Sequence, residues 1–188
     1  MTWLRHMHPI LARQQLDYQV FLVEQADQWP FNRAALLNVG VAETKQFGNF
    51  SCFVFHDVDI LPEDDRAVYG CPEGEALHLA VAVSRWKYRL AYERYCGGVA
   101  ALSAKLFEKI NGFANSFYGW GGEDDDFFNR LKHNGVGVKR YPANISRMTM
   151  LLHNSTNENP DLQVRDQTQT KDSSMILIST GHDGEERG

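Results

Sequence analysis

Cys52-Phe53-Val54-Phe55 is a short, unbroken apolar run that leads directly into His56-Asp57-Val58-Asp59. A strand with one wet face alternates apolar and polar residues, whereas an unbroken run is expected of a strand covered on both faces, the habit of α/β sheets. The surrounding chain supports that class. Apolar Ile10, Leu11 and Leu16 stand at helical spacing within residues 8 to 16, and Tyr18 to Val23 alternates as a strand. Phe31 to Gly40 has helical periodicity and good helix formers. His78 to Val83 predicts another strand, and Leu102 to Ile110 a helix with Ser103 as N-cap and Asn111-Gly112 as its stop. From Glu123 a further helix is expected, with Phe127, Phe128 and Leu131 on its buried side and Gly135 at its end. Val136 to Tyr141 is strand-like, and Arg147 to His153 follows it. Strands alternating with helices predict an α/β sheet flanked by helices, which binds ligands at the carboxyl ends of its strands.

At 188 residues, 43% of them hydrophobic, the chain can bury one sizeable core. Its net charge of -5 offers no basic face to a nucleic-acid backbone, so nucleic acid is not expected as a partner. No apolar run reaches bilayer length and Met1 to His6 lacks a secretory apolar core, so any anchor or targeting segment is expected to be absent from this chain. Beyond Asn154 the composition turns polar, which divides the chain into a folded domain over residues 1–155 and a polar, flexible tail over 156–188. Three cysteines, Cys52, Cys71 and Cys96, are too few for a disulfide scaffold or a zinc site and by count alone read as buried thiols.

Two acidic motifs carry the chemistry. Asp57-Val58-Asp59 falls at the strand's end, and alternation puts both carboxylates on one side, where their oxygens suit Mg2+ or Mn2+. Spaced aspartates are also common in turns. A phosphatase with an aspartate nucleophile would start the same way, but Ile60-Leu61-Pro62 lacks the hydroxyl residue expected next. The second motif is Tyr118-Gly119-Trp120-Gly121-Gly122-Glu123-Asp124-Asp125-Asp126. Acids in a first helical turn are favoured by the helix dipole, and that accounts for one or two of them. Four together, with Trp120 and three glycines that forfeit backbone entropy, point to a site that binds a polar, ring-shaped ligand and moves a proton on it.

Taken in order, Phe31-Asn32-Arg33-Ala34, Cys52 to Asp59, Tyr95-Cys96-Gly97-Gly98-Val99, Ile110-Asn111-Gly112-Phe113, Gly119 to Asp126 and Met150 to His153 resemble the β-1,4-galactosyltransferase family over about His8 to His153. The resemblance implies a GT-A type nucleotide-sugar-binding fold, a Mn2+-dependent, inverting transfer from UDP-galactose to an N-acetylglucosamine-type acceptor glycan, and residence in the Golgi lumen on a type II membrane anchor. Residue by residue, it implies that Asp59, Met150 and His153 are metal ligands. Phe31, Arg33, Asp57, Val58, Asp59, Tyr95 and Trp120 become donor-binding, and Trp120, Gly122, Glu123, Asp124 and Asp125 acceptor-binding, with Asp124 the catalytic base. From the residues alone Met150 reads as core and His153 as a surface histidine, and a thioether suits Mn2+ poorly by hardness. Tyrosine at position 95 goes with galactose in the family, although Cys96 replaces its usual aromatic neighbour. A Cys52–Cys71 disulfide is also implied, with Cys96 free.

The physical chemistry agrees with these roles. A sugar hydroxyl becomes a competent nucleophile when a positioned carboxylate takes its proton during attack, and neighbouring anions with partial burial raise that carboxylate's proton affinity. A retaining hydrolase would need two carboxyl groups at a defined separation, which acids on one helical turn do not supply. Measured against the family, the chain is expected to be cut short at the N-terminal strand and at the C-terminal end. The arginine-containing strand that grips the nucleotide would lie upstream, and exposed sheet edges would favour aggregation. Two alternatives accompany the main expectation: a β-1,4-N-acetylgalactosaminyltransferase, and a non-catalytic fragment that retains glycan or metal binding.

Overall fold

A computed structural model describes residues 2–151 and 174–182. Nine strands and four helices follow in the order α1 (Thr2–Arg13), β1 (Tyr18–Glu24), α2 (Arg33–Thr44), β2 (Phe50–His56), β3 (Ile60–Pro62), β4 (Glu75–His78), β5 (Ala82–Val83), β6 (Val99–Ser103), α3 (Ala104–Lys109), α4 (Glu123–His133), β7 (Gly137–Arg140), β8 (Arg147–Met150) and β9 (Ser174–His182) among the described residues. Six strands form the main sheet in the order β1-β9-β2-β6-β4-β7, antiparallel except for the parallel β4–β7 pair. A small second sheet, β3-β8-β5, stands beside the carboxyl end of β2.

Alternation along β2 explains the unbroken apolar run. Cys52 and Val54 pack on one side with Trp3, Met7 and Leu11 of α1, while Phe53 and Phe55 pack on the other with Ala34, Leu37, Phe107, Phe127 and Leu131 of α2, α3 and α4. Covering both faces removes the need for a polar alternate, and each fully buried large side chain contributes roughly 1.5–3 kcal/mol. The mixed sheet flanked by helices is the fold class anticipated. Helix α1 starts earlier than residue 8 because Trp3 and Met7 continue the Ile10/Leu11 stripe backwards by one and two turns.

Three expectations are corrected. The strand expected over His78 to Val83 is two, β4 ending at His78 and β5 in the other sheet. The chain turns between them as Leu79 and Val81 donate to Val99 and Leu79 carbonyls, and burial on all sides makes the whole stretch apolar. The helix expected from Leu102 starts at Ala104. Ser103 is its cap, accepting from Leu106 N at 3.3 Å, while Leu102 belongs to β6, where pairing with β2 overrides the helical propensity of Ala100 and Ala101. The stretch Ser174–His182, assigned above to the flexible tail, is the longest strand of the sheet. It lies antiparallel between β1 and β2, burying Ile176 and Ile178 on the α1 side and Leu177 on the α2 side. Its neighbours β1 and β2 therefore run in the same direction.

Cys52 and Cys71 form a disulfide with Cα atoms 5.7 Å apart, tying β2 to the segment after β3, while Cys96 is a free, buried thiol. No described helix is long and apolar enough to cross a membrane.

Candidate functional site

Four segments converge at the carboxyl end of β2: the start of α2, the turn from β2 into β3, the loop before β6 and the start of α4. Asn32 caps α2 by accepting from Ala35 N at 2.9 Å and donates to the Asn115 carbonyl at 2.7 Å, so the first turn of α2 is anchored to the loop that leads to α4. The same two segments meet again where Gly119 N donates to the Phe31 carbonyl at 2.7 Å. Phe31 packs partly against the core on the α2 side, which leaves Arg33 facing inward.

Arg33 organises the acids. Its Nε and Nη2 donate to Asp57 Oδ1 at 3.0 and 2.8 Å, and its Nη1 lies 3.6 Å from Glu123 Oε1. Burial works against the guanidinium's charge, but Asp57, Glu123 and Asp124 together hold its proton above the ordinary arginine value. Asp57 and Asp59 were expected to project together from an extended strand. Residues 57–59 instead form a turn, closed by Ile60 N donating to the Asp57 carbonyl at 3.3 Å, so the alternation argument does not apply. Asp57 faces Arg33, whereas Asp59 abuts the second sheet, its carbonyl accepting from Leu151 N at 2.7 Å. Val58 packs against the α1-side core.

Asp124 sits over a glycine. A β-carbon at position 97 would collide with Asp124 Oδ2 and come within 2.9 Å of Tyr95 Cε2, so the carboxylate and the backbone approach more closely than any side chain at 97 allows. Asp124 as a residue is half-buried, yet its Oδ1 is shut off from solvent and has no hydrogen-bond partner; Glu123 Oε2 is in the same state. Burial first, then the charge of Glu123, pushes the Asp124 carboxyl up to about 7, with Arg33 opposing. The sequence analysis anticipated this direction. Asp125 is exposed and accepts from the Tyr92 hydroxyl at 3.0 Å. Asp126 pairs with Arg130 one turn on, at 2.6 Å, and serves the helix. Gly122 caps α4 at φ +91°, a backbone shape that L side chains rarely adopt, and Trp120 on the approach to it is 49% exposed.

Tyr95 is nearly buried, ringed by Trp86, His78 and Tyr92 with centroids 4.9, 5.3 and 5.5 Å away. Sequence reasoning missed Tyr92, His78 and Arg140, which brace this loop. Tyr92 stands in an aromatic and basic stretch, Trp86 to Tyr95, that carries no motif; nothing in the spacing of the other two marks them.

Asp59 and Met150 are neighbours through the β3–β8 ladder, in which Ile60 pairs with Met150. Met150 also packs partly against the α1-side core. His153 lies outside the described residues, and those described form no cluster of three or more His, Cys, Asp or Glu that could hold a metal. Asp59 supplies a hard oxygen donor of the kind a divalent cation takes, and the acids around Arg33 add negative charge beside that turn. Asp57, Glu123 and Asp124 converge on a single arginine, and two buried carboxyl oxygens remain unpartnered.

Known proteins resemble this chain in sequence and fold. Residues 1–72 match the family described as the N-terminal region of glycosyl transferase group 7, and residues 77–154 match the N-terminal domain of galactosyltransferase. The catalytic domain of Drosophila β-1,4-galactosyltransferase 7, solved with xylobiose, superposes with a TM-score of 0.70 at 31% identity, covering 92% of this chain and 70% of that one. The chain belongs to the β-1,4-galactosyltransferase family. A mutant of the same Drosophila enzyme in complex with manganese, UDP-Gal and xylobiose gives a TM-score of 0.69 at 28% identity, covering 91% and 70% of the two chains. Mouse β-1,4-galactosyltransferase 1 is 47% identical over 157 residues, 84% of this chain and 39% of the mouse protein. Mouse β-1,4-galactosyltransferase 4 is 46% identical over 150 residues, 80% of this chain and 43% of that protein. The chain thus spans about two fifths of the length of these curated relatives.

Proposed function

We propose that this chain carries the sugar-transfer centre of a Mn2+-dependent, inverting β-1,4-galactosyltransferase that moves galactose from UDP-galactose to the 4-hydroxyl of a terminal N-acetylglucosamine or related sugar. The observation that carries this reading is Asp124: a carboxylate seated on Gly97, with one oxygen enclosed and unpartnered and a proton affinity raised to about 7. A general base is most effective when its pKa lies near the working pH.

In this mechanism Asp124 accepts the proton of the acceptor hydroxyl as that oxygen bonds to the anomeric carbon of galactose. The bond from that carbon to the UDP oxygen breaks in the same step, with its electron pair leaving on the diphosphate, and a single displacement inverts the centre. Glu123 and Asp125 hold acceptor hydroxyls, Gly122 lets the sugar approach the backbone, and exposed Trp120 offers its face to both sugars. Phe31, Val58 and Arg33 line the nucleotide side, Arg33 also fixing Asp57. Asp59 and Met150, with His153, would hold Mn2+, which when bound offsets charge developing on the departing diphosphate. Tyr95 limits the room beside the donor's 2-position, which favours galactose over N-acetylgalactosamine. An oxidising lumen such as the Golgi suits the Cys52–Cys71 disulfide.

The test is Mn2+-dependent transfer from UDP-galactose to an N-acetylglucosaminide. Asp124→Asn should lower kcat by about 10²–10⁴-fold; an equally active variant would remove the base from the mechanism. Tyr95→Leu should raise use of UDP-N-acetylgalactosamine. A second reading, a non-catalytic fragment that binds glycan or metal but not the nucleotide, is favoured by β9: the residue of that strand paired with His56 is Ile176, which offers no charge to a diphosphate. Calorimetry with UDP and Mn2+ separates the two, since tight, metal-dependent UDP binding contradicts the second.

A further inference from the structure

His78 and Arg140 end the parallel strands β4 and β7 and pair directly across that ladder. Arg140 Nε lies 3.2 Å from His78 Nδ1, and the other ring nitrogen, Nε2, lies 3.0 Å from the Gly97 carbonyl. A guanidinium N–H donates and never accepts, so Nδ1 must offer its lone pair and the single ring proton sits on Nε2, aimed at Gly97. The tautomer is set by Arg140. The Nη2 of the same arginine donates to the carbonyls of Glu93 and Tyr95 at 2.9 and 3.0 Å. Two adjacent strand ends therefore grip the carbonyls of residues 93, 95 and 97, every second carbonyl of the loop that carries Tyr95 and ends under Asp124. His78 is fully buried, and burial, reinforced by Arg140, keeps its ring neutral with a pKa of about 3. Among the described residues the groups that accept from Arg140 are uncharged, so the contact serves geometry rather than charge pairing.

We propose that Arg140 and His78 are positioning residues: together they set the height of Gly97 beneath the Asp124 carboxylate and the placement of Tyr95. This rests on the transfer reading for its catalytic consequence but not for its structural one. The groups facing Asp124 are Glu123 on its own helix, Arg33 from the start of α2, and Tyr92, Tyr95 and Cys96 from the loop. If the loop sinks, Asp124 gains water while those charges remain.

Arg140→Lys keeps the charge but loses the fork. His78→Gln retains an acceptor and a donor at the separation of the two ring nitrogens, and His78→Leu retains neither. Each is compared with the parent by the ¹³C titration midpoint of the Asp124 carboxyl, by kcat and KM for UDP-galactose, and by the rate ratio of UDP-galactose to UDP-N-acetylgalactosamine. Arg140→Lys and His78→Leu should lower the Asp124 midpoint by about one pH unit, lower kcat about tenfold or more with KM changed less, and narrow the donor ratio; His78→Gln should restore all three. Variants that lose thermal stability while Asp124 titrates as in the parent overturn the proposal, as does a His78→Leu protein indistinguishable from His78→Gln. If Arg140→Lys fails to fold, the two His78 variants decide. A folded parent without transfer activity, in which the Asp124 midpoint still responds, removes the proposed function and leaves the positioning role standing.

Discussion

Replacing Gly97 by alanine tests the seat of Asp124 with a single methyl group. Gly97 does not need a left-handed backbone, so any effect comes from space alone. The new β-carbon would collide with Asp124 Oδ2 and lie 2.9 Å from both Asp124 Cγ and Tyr95 Cε2. Neither neighbour yields easily: Tyr95 is wedged between Trp86 and His78, and Asp124 is backed by Glu123 and Arg33. Overpacking of this kind costs about 1–3 kcal/mol. The easiest relief is for the carboxylate to swing outward by about 1 Å, and a misplacement of that size in a catalytic group costs about 10²-fold in rate. Swung outward, the carboxyl also regains water, so its pKa should fall from about 7 toward the ordinary aspartate range. Gly70→Ala is the control, because a β-carbon there meets nothing within 4 Å and the backbone is unstrained; it should lie within about 0.5 kcal/mol of the parent or be slightly stabilising. Urea denaturation gives the stability and donor-saturated initial rates give kcat. A Gly97→Ala protein with parental kcat and an unchanged acid limb in its pH profile would refute the argument that Asp124 acts from this seat.

Asp124 also predicts a pH dependence of stability. Its folded value, about 7, lies above the unfolded aspartate value of 3.8, so the folded state holds the proton more tightly, and the stability this contributes below pH 4 is lost as pH rises toward 7. Asp124→Asn should therefore be more stable than the parent at pH 8, by about 1–2 kcal/mol after screening by Arg33 and solvent, with the difference vanishing near pH 4 in thermal melts. Breaking the Cys52–Cys71 bridge, whose ends are 19 residues apart, should cost about 3 kcal/mol in urea denaturation of a Cys52→Ser/Cys71→Ser double variant. Leu177→Ala, in the middle of β9 and fully buried, should cost about 2–5 kcal/mol; a loss under 0.5 kcal/mol would mean that β9 does not occupy the sheet in solution.

Much of the layout was legible from local pattern. The Cys52–Phe55 run announced a doubly covered strand, and the stripes of Phe127 and Leu131 in α4 and of Leu36 and Leu37 in α2 announced helices, because periodicity records which faces are buried. The acid block after Trp120 marked where acids would cluster, because four carboxylates and three glycines in a row are costly unless a ligand uses them. Local pattern could not say where a strand would go. Met175 to Ile178 carries the same unbroken apolar signal as Cys52 to Phe55, but polar flanks diluted it, and its place between β1 and β2 depends on partners more than a hundred residues away. The same limit applied within the site. That Asp57 turns to Arg33 while Asp59 abuts the second sheet, that Gly97 leaves room for Asp124, and that Arg140 and His78 together hold the Tyr95 loop are consequences of segments distant in sequence meeting at one sheet end. The sequence by itself determined the chemical inventory and the covered faces, since both follow from residue type and short-range spacing. Only the tertiary structure decided which carboxylate is paired, which is left enclosed, and which stays exposed, because desolvation and charge coupling depend on distances that no local pattern encodes.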